Sequence, residues 1–185
     1  HNPSKAAAWA STLGIQTTQI RDYVSGLTDV ILRTDTRVTN HGYVNGVAHP
    51  IQSLLEAGTA VFVDKYGRPV VKCYCGNPLT PTELYTTPSY SGPLWASFSP
   101  TQITIINQST TIINIFTLYD PNTGMTFSRT PGEHGRDGPY TGTRTSSTSQ
   151  SSITSAAPTS TTTQQAPPTS AAETPSVSLA PNPVI

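Results

Sequence analysis

The sequence has few charged residues and no excess of either sign. Charged residues make up 11% of the 185 residues, and ten basic side chains balance ten acidic ones. Proteins that bind a nucleic-acid backbone need a surplus of Lys and Arg, so we expect no nucleic-acid partner. No apolar run approaches the roughly 20 residues of a membrane-spanning helix. No signal peptide is visible either, so the chain itself offers no transmembrane segment.

The last third of the chain lacks the aliphatic and aromatic residues that a packed core requires. Beyond residue 130 the composition turns to Gly, Ser, Thr, Pro and Gln. Such a segment buries too little apolar surface to offset the chain entropy that is lost on folding. We therefore expect a single domain at residues 1–130 and a disordered, low-complexity tail at residues 131–185. Tails of this composition are typical of stalks and spacers in exported proteins.

The N-terminal residues predict two short helices. Residues 5–13 are rich in alanine and end at Gly14, and residues 17–27 carry an apolar stripe at helical spacing. The two helices would form a hairpin whose apolar side rests on a sheet. Because His1 leads into the first helix with no preceding segment, we expect that the domain is truncated at its N-terminus. Any membrane anchor would then lie in the missing part.

Residues 28–129 carry strand patterns, and the clearest is a hairpin at residues 57–78. β-branched and aromatic residues fill its first half, residues 64–67 form a turn, and a second strand continues from Pro69 to Cys75. Asn45-Gly46 indicates another tight hairpin. We therefore predict an α+β fold in which the helical hairpin packs on a mainly antiparallel sheet of about five or six strands.

A proline-rich stretch at residues 79–100 is unusually aromatic. It is too long for an ordinary connection, and its rings predict an extended arm that packs across the sheet. The alternative is an aromatic platform for a glycan or a peptide, which makes Tyr90 and Trp95 candidate ligand contacts. The four rings of the stretch are those of Tyr85, Tyr90, Trp95 and Phe98.

Three polar residues on one predicted strand have alternative interpretations. Asp35 and Arg37 share a strand face with Arg33, which predicts a solvated ladder of charges. The alternative is a site for an anionic sugar or a peptide carboxylate, since Arg binds carboxylates through two hydrogen bonds.

His41 and Asp35 could act together as a general base, but Asn40-His41-Gly42 more simply predicts a turn.

Several blocks of this sequence resemble an uncharacterised domain of actinobacterial envelope proteins. The similarity spans nearly all of residues 1–130 and includes the blocks TNHG and CxCGNPL and the pair Trp95 and Phe98. The resemblance implies an exported or membrane-anchored protein with low-complexity flanks. It also implies a stretch before the first helix, including a cysteine, that this chain lacks. No activity is known that the resemblance could transfer, so it assigns no catalytic residue.

Cys73 and Cys75 are the two cysteines of the chain, and one residue separates them. A redox pair normally has two residues between its cysteines at the start of a helix. An exported protein favours a structural disulfide, either between the two or to the missing upstream cysteine. Buried free thiols are the next interpretation. A metal site would also need His41 and His49, and a reactive thiol is the weakest alternative.

No complete set of catalytic residues is recognisable, and no cofactor is implied. We therefore expect a non-catalytic, extracytoplasmic binding or scaffold module whose partner is an unidentified envelope ligand or protein. One alternative is an enzyme that acts on envelope material through His41 and Asp35 together with Cys73. A weaker alternative is a metal-binding module that uses Cys73, Cys75, His41 and His49.

Overall fold

The computed structural model describes residues 2–134, 137–141 and 175–182. These residues are mainly β, with strands in three sheets and two short α-helices. The predicted α+β class therefore fits only loosely, since most of the buried surface belongs to the sheets.

The helices are α1 (Pro3–Thr12) and α2 (Ile20–Ser25). α1 begins where the Asn2 side chain accepts a hydrogen bond from the Lys5 backbone N–H at 3.0 Å. The predicted helical hairpin is not supported. α2 has six residues and follows a 3-10 turn, so it is too short to pair along α1, which packs across the large sheet. Neither described helix is long and apolar enough to cross a bilayer.

The first sheet contains the hairpin predicted at residues 57–78. Its strand order is β1-β4-β5, all antiparallel, and Phe62 lies opposite Val71. The second strand is shorter than predicted because it ends at Lys72, and Cys73 and Cys75 lie in the following turn. The strands are β1 (Thr28–Ile31), β4 (Ala60–Val63) and β5 (Pro69–Lys72).

The large sheet is mixed rather than mainly antiparallel. Its order is β6-β2-β3-β11-β7, and β8 runs parallel to β2. The predicted hairpin at Asn45-Gly46 is confirmed: both residues have positive φ, and β2 and β3 pair in register on either side. The strands are β2 (Thr36–Val44), β3 (Val47–Leu55), β6 (Leu79–Thr80), β7 (Ser89–Ser91), β8 (Thr104–Ile105) and β11 (Ser176–Ala180).

Strand β11 comes from the segment that was predicted to be a disordered tail. For this segment that prediction is wrong, because residues 176–180 form a strand inside the sheet with Val177 fully buried. Residues 135–136, 142–174 and 183–185 of the predicted tail lie outside the described residues.

The third sheet pairs β9 (Phe116–Asp120) with β10 (Met125–Arg129). Residues 110–115 precede β9, and Ile112 and Ile115 are more than half exposed. Arg129 attaches the small sheet to β1 through the Asp29 carboxylate at 3.0 Å.

Two groups of buried side chains lie on opposite faces of the large sheet. The main core lies between the large sheet and the first sheet, and the arm cluster lies beneath the proline-rich arm. The main core comprises Leu32, Val38, Leu55, Val61, Val63 and Leu79. The arm cluster comprises Leu54, Val177 and Leu179, with Tyr85, Tyr90, Trp95, Phe98 and Ile103 packed against them.

Candidate functional site

The large sheet contains a slot that is one strand wide, between β3 and β7, and β11 fills it. β11 runs parallel to both neighbours: Leu179 lies opposite Leu54 on β3, and Val177 lies opposite Tyr90 on β7. A strand between two edges satisfies N–H and C=O groups on both of them. The slot therefore has the geometry of β-strand addition, in which main-chain hydrogen bonds hold an extended segment.

Hydrogen bonds also hold the ends of the inserted segment. The Ser89 backbone N–H donates to the Pro175 carbonyl at 3.0 Å, and the hydroxyls of Ser91 and Ser176 are 3.1 Å apart. At the other end, the Glu56 N–H reaches the Ala180 carbonyl at 3.5 Å. The segment is thus held along its whole length.

The aromatic arm forms one wall of the slot. Phe98 meets both Tyr90 and Trp95 edge-to-face, with ring centroids 5.6 Å apart in each pair. Val177 and Leu179 are buried against this group. The prediction that the rings pack across the sheet is confirmed, and the surface on which they pack includes an inserted peptide segment.

Gly92 allows β11 to approach the arm closely. A Cβ atom at this position would lie 3.2 Å from the Leu179 Cβ and 3.3 Å from the Leu179 carbonyl oxygen. The φ angle of Gly92 is +121°, which other residues rarely adopt. The slot therefore depends on glycine at this position.

Asp35 fastens the arm to the sheet. Its carboxylate accepts a hydrogen bond from the Trp95 indole N–H at 3.0 Å and another from the Ala57 backbone N–H at 2.8 Å. Asp35 is 7% exposed and Arg37 is 4% exposed, so the predicted solvated charge ladder is wrong. Both residues are buried because the arm covers this face of β2.

Arg37 lies under the arm, where no carboxylate of the described residues pairs with it. Its Nη2 donates to the Glu83 carbonyl at 2.6 Å, and its guanidinium lies 5.2 Å from the centre of the Tyr85 ring. Its Nε has no hydrogen-bond partner within the described part of the chain. Of the five predicted ligand contacts, Asp35, Arg37, Tyr90 and Trp95 thus belong to this region.

His41 lies elsewhere, at the junction of β2 and β6. Its Nε2 is 2.9 Å from the Thr80 hydroxyl, and burial lowers the pKa of the imidazole from its usual value. Asp35 has different partners, Trp95 and Ala57. In the described residues no hydrogen bond joins His41, Asp35 and Cys73, the three residues of the enzyme alternative.

The two cysteines are free, so the structure does not contain the local disulfide. Cys73 is partly buried, and burial together with the Asp29 charge raises the pKa of its thiol. Cys75 is exposed, so the interpretation as buried free thiols is wrong for this residue. The described residues contain no group of three or more His, Cys, Asp or Glu side chains that could hold a metal ion. The four residues of the metal alternative are therefore not assembled into such a group.

The sequence analysis missed the residues that occupy the slot. Val177 and Leu179 alternate with serines in Ser-Val-Ser-Leu-Ala, and this period of two was the available strand signal. Asn182 follows two residues after the strand and makes three hydrogen bonds to residues 56–59. The low-complexity surroundings obscured this short pattern.

Comparison with known proteins gives a family but no function. A family model described as a domain of unknown function (DUF6777) matches residues 1–132. No curated protein and no solved structure matches the chain. The matched region contains every residue that lines the slot, whereas β11 lies beyond its end.

Proposed function

The chain belongs to the family described as a domain of unknown function (DUF6777), and we propose that its domain is a non-catalytic binding module that takes up an extended peptide segment. The observation that carries this proposal is β11, a strand from outside the matched region that is seated between β3 and β7. In this chain the C-terminal segment is the resident ligand of the slot.

The order of the strands along the chain supports the interpretation that β3 and β7 form a receptor and that β11 is its ligand. β3 and β7 belong to the matched region, and residues 133–175 separate that region from the inserted strand. Without the segment, two strand edges would face each other across a gap of roughly 10 Å, twice the spacing between neighbouring strands. An edge pair of this kind favours an added strand strongly.

Tethering explains how the resident segment stays in place. Because the slot and the segment belong to one chain, insertion is intramolecular, and this gives the segment a high effective concentration at the slot. To displace it, a competing segment must be present at a concentration above this effective concentration, or it must bind the slot more tightly. The tether therefore makes the slot selective for ligands that are abundant or that match it well.

We further propose that the module works outside the cytoplasm, in an actinobacterial envelope. This rests on the resemblance of the TNHG and CxCGNPL blocks and on the Ser/Thr/Pro-rich composition of residues 142–174. Its partner there would be an envelope protein with an extended segment rather than a nucleic acid. Fractionation of the producing cell tests the location, and recovery of the protein in the cytosol would contradict it.

The binding proposal is tested with a full-length variant that carries V177D and L179D. The two buried carboxylates expel the resident segment, and a labelled peptide of residues 174–183 should then bind saturably. The wild-type chain, whose slot is occupied, should bind the same peptide more weakly. A peptide that carries the same two aspartates is the matched control. Equal binding of both peptides, or of both proteins, would contradict the proposal.

A second measurement does not depend on the folding of that variant. A specific protease site is placed within residues 142–174 of the otherwise wild-type chain, and cleavage turns the tethered segment into a separate peptide. The segment should remain bound at high concentration and dissociate on dilution. A segment that never dissociates under native conditions would be a structural strand and not a ligand.

A further inference from the structure

Asn182 is held more specifically than any residue of β11. Its backbone N–H donates to the Glu56 carboxylate at 2.6 Å, and its side-chain amide donates to the Ala57 carbonyl at 3.0 Å. Its side-chain oxygen lies 2.8 Å from the Thr59 hydroxyl. The amide thus uses its donor and its acceptor at the same time.

These three partners, Glu56, Ala57 and Thr59, define what position 182 can hold, and we call them the amide clamp. The Ala57 carbonyl is an acceptor only, so it requires a donor from the ligand. An aspartate would place an oxygen against that carbonyl and a second negative charge beside Glu56. The Asn182 Nδ2 atom is 3.2 Å from where a Gly58 Cβ would lie, so a side chain at position 58 would crowd the amide.

The amide clamp gives the slot a sequence specificity that strand pairing alone does not provide. Main-chain hydrogen bonds are the same for every sequence, and the two apolar positions differ only in size. Because side chains alternate with a period of two, a shift of two residues would place Leu179 where Val177 belongs. Such a shift would move Asn182 away from the clamp. Asn182 therefore fixes the register of the inserted segment.

We propose that the slot recognises extended segments with the pattern apolar-x-apolar-x-x-Asn, in which the last residue occupies the amide clamp. This inference rests on the proposed function and names the ligand class of the same site. The resident segment satisfies the pattern with Val177, Leu179 and Asn182.

The test compares peptides of residues 174–183 on the full-length V177D/L179D protein. Replacement of Asn182 by Ala should weaken binding about tenfold, because the clamp loses both side-chain hydrogen bonds. Replacement by the isosteric Asp should weaken it about a hundredfold. Asp keeps the acceptor for Thr59, but it replaces the donor to the Ala57 carbonyl by a charged oxygen that this carbonyl and the Glu56 carboxylate repel. Ser176→Ala is the control and should change the affinity less than threefold, roughly the size of one exposed hydrogen bond.

The relative affinities of the peptide variants distinguish recognition of Asn182 by the clamp from a purely structural role of this residue. If the peptide with Asn182→Asp binds as tightly as the wild-type peptide, the inference is overturned and the proposed function stands. If the wild-type peptide does not bind at all, the proposed function fails, and the inference fails with it. In a protein that also carries Thr59→Val, the loss of affinity caused by Asn182→Ala should become smaller, because that protein cannot donate to the Asn182 side-chain oxygen. An unchanged loss would contradict the clamp.

Hydrogen–deuterium exchange gives a measurement on the tethered segment. In an otherwise wild-type chain, Asn182→Asp should speed exchange in residues 176–180 and leave the hairpin of β2 and β3 unchanged. Asn114→Asp, a matched change at an exposed asparagine, should have no effect on the segment. Exchange in residues 176–180 that does not respond to Asn182→Asp would overturn the inference.

Discussion

The large sheet has two halves that differ in how far apart their strands lie along the chain. β2 and β3 form a hairpin joined by Asn45-Gly46, whereas β3 and β11 pair Ser53 with Ser178. A tight hairpin closes at little entropic cost, but a long connection must be offset by the contacts that it brings together. The first half is thus an intrinsic part of the domain, and the second half is an association between the domain and a tethered segment.

Two neighbouring leucines, Leu54 and Leu55, allow the two halves of the sheet to be tested separately. Leu54 and Leu55 are both fully buried and point to opposite faces of β3. Leu55 belongs to the main core, and Leu54 contacts the inserted segment in the arm cluster. The same substitution at the two positions therefore compares the two halves with the residue type held constant.

The largest expected effect is that of Leu55→Ala. The cavity would lie in the main core, so the free energy of unfolding should fall by about 3 kcal/mol. Chemical denaturation followed by circular dichroism measures this loss. A loss below about 1 kcal/mol would mean that the main core does not hold the domain together.

Leu54→Ala should have a smaller effect on global unfolding, about 1–2 kcal/mol, because the arm cluster can open while the main core stays folded. Exchange should accelerate in residues 89–91 and 176–180 before it does in β2. The measurement is native-state hydrogen exchange of both variants under the same conditions. Equal acceleration in both halves of the sheet would show that they unfold as one unit.

The same comparison explains what the sequence could predict. Local signals sufficed for the Asn45-Gly46 hairpin and for the pairing of β4 with β5, since turn and strands are adjacent in the chain. Cys73 and Cys75 were misplaced because the apolar pattern of β5 continues past its last paired residue. β11 depends on two edges that are remote in sequence, so its five residues could not reveal where they bind. The sequence therefore pointed to residues of the arm, Tyr90 and Trp95, and to Asp35 and Arg37 beneath it, but not to the segment that occupies the slot.

Trp95→Phe tests the link between the arm and the sheet. Phenylalanine keeps an aromatic ring at this position, but the buried Asp35 carboxylate loses one of its two donors, so the free energy of unfolding should fall by about 1–2 kcal/mol. Trp9→Phe is the matched control, because its indole N–H donates to the Gly76 carbonyl at an exposed site. It should cost less, about 0.5 kcal/mol, by the same measurement. A larger loss for Trp9→Phe would contradict the role of Asp35.

The smallest expected effect is the pH dependence at His41, which lies in the intrinsic half of the sheet. Burial lowers the pKa of His41 in the folded protein, so below the usual histidine pKa of about 6.5 the unfolded chain takes up a proton more readily than the folded one. Stability should therefore fall as the pH drops from 7 toward the folded-state pKa. His41→Gln keeps a group that can hydrogen-bond Thr80 but does not titrate, so it should remove this part of the pH dependence.

Denaturation of both proteins between pH 7 and pH 5 provides the measurement, and peptide affinity of the slot should not follow the same profile. His41 packs against β6 and is not among the residues that contact β11. Its protonation should therefore weaken the intrinsic half of the sheet without directly loosening the resident segment. A pH profile shared by global stability and slot affinity, and abolished in both by His41→Gln, would join the two halves into one cooperative sheet. The segment would then be part of the fold and not a ligand held by it.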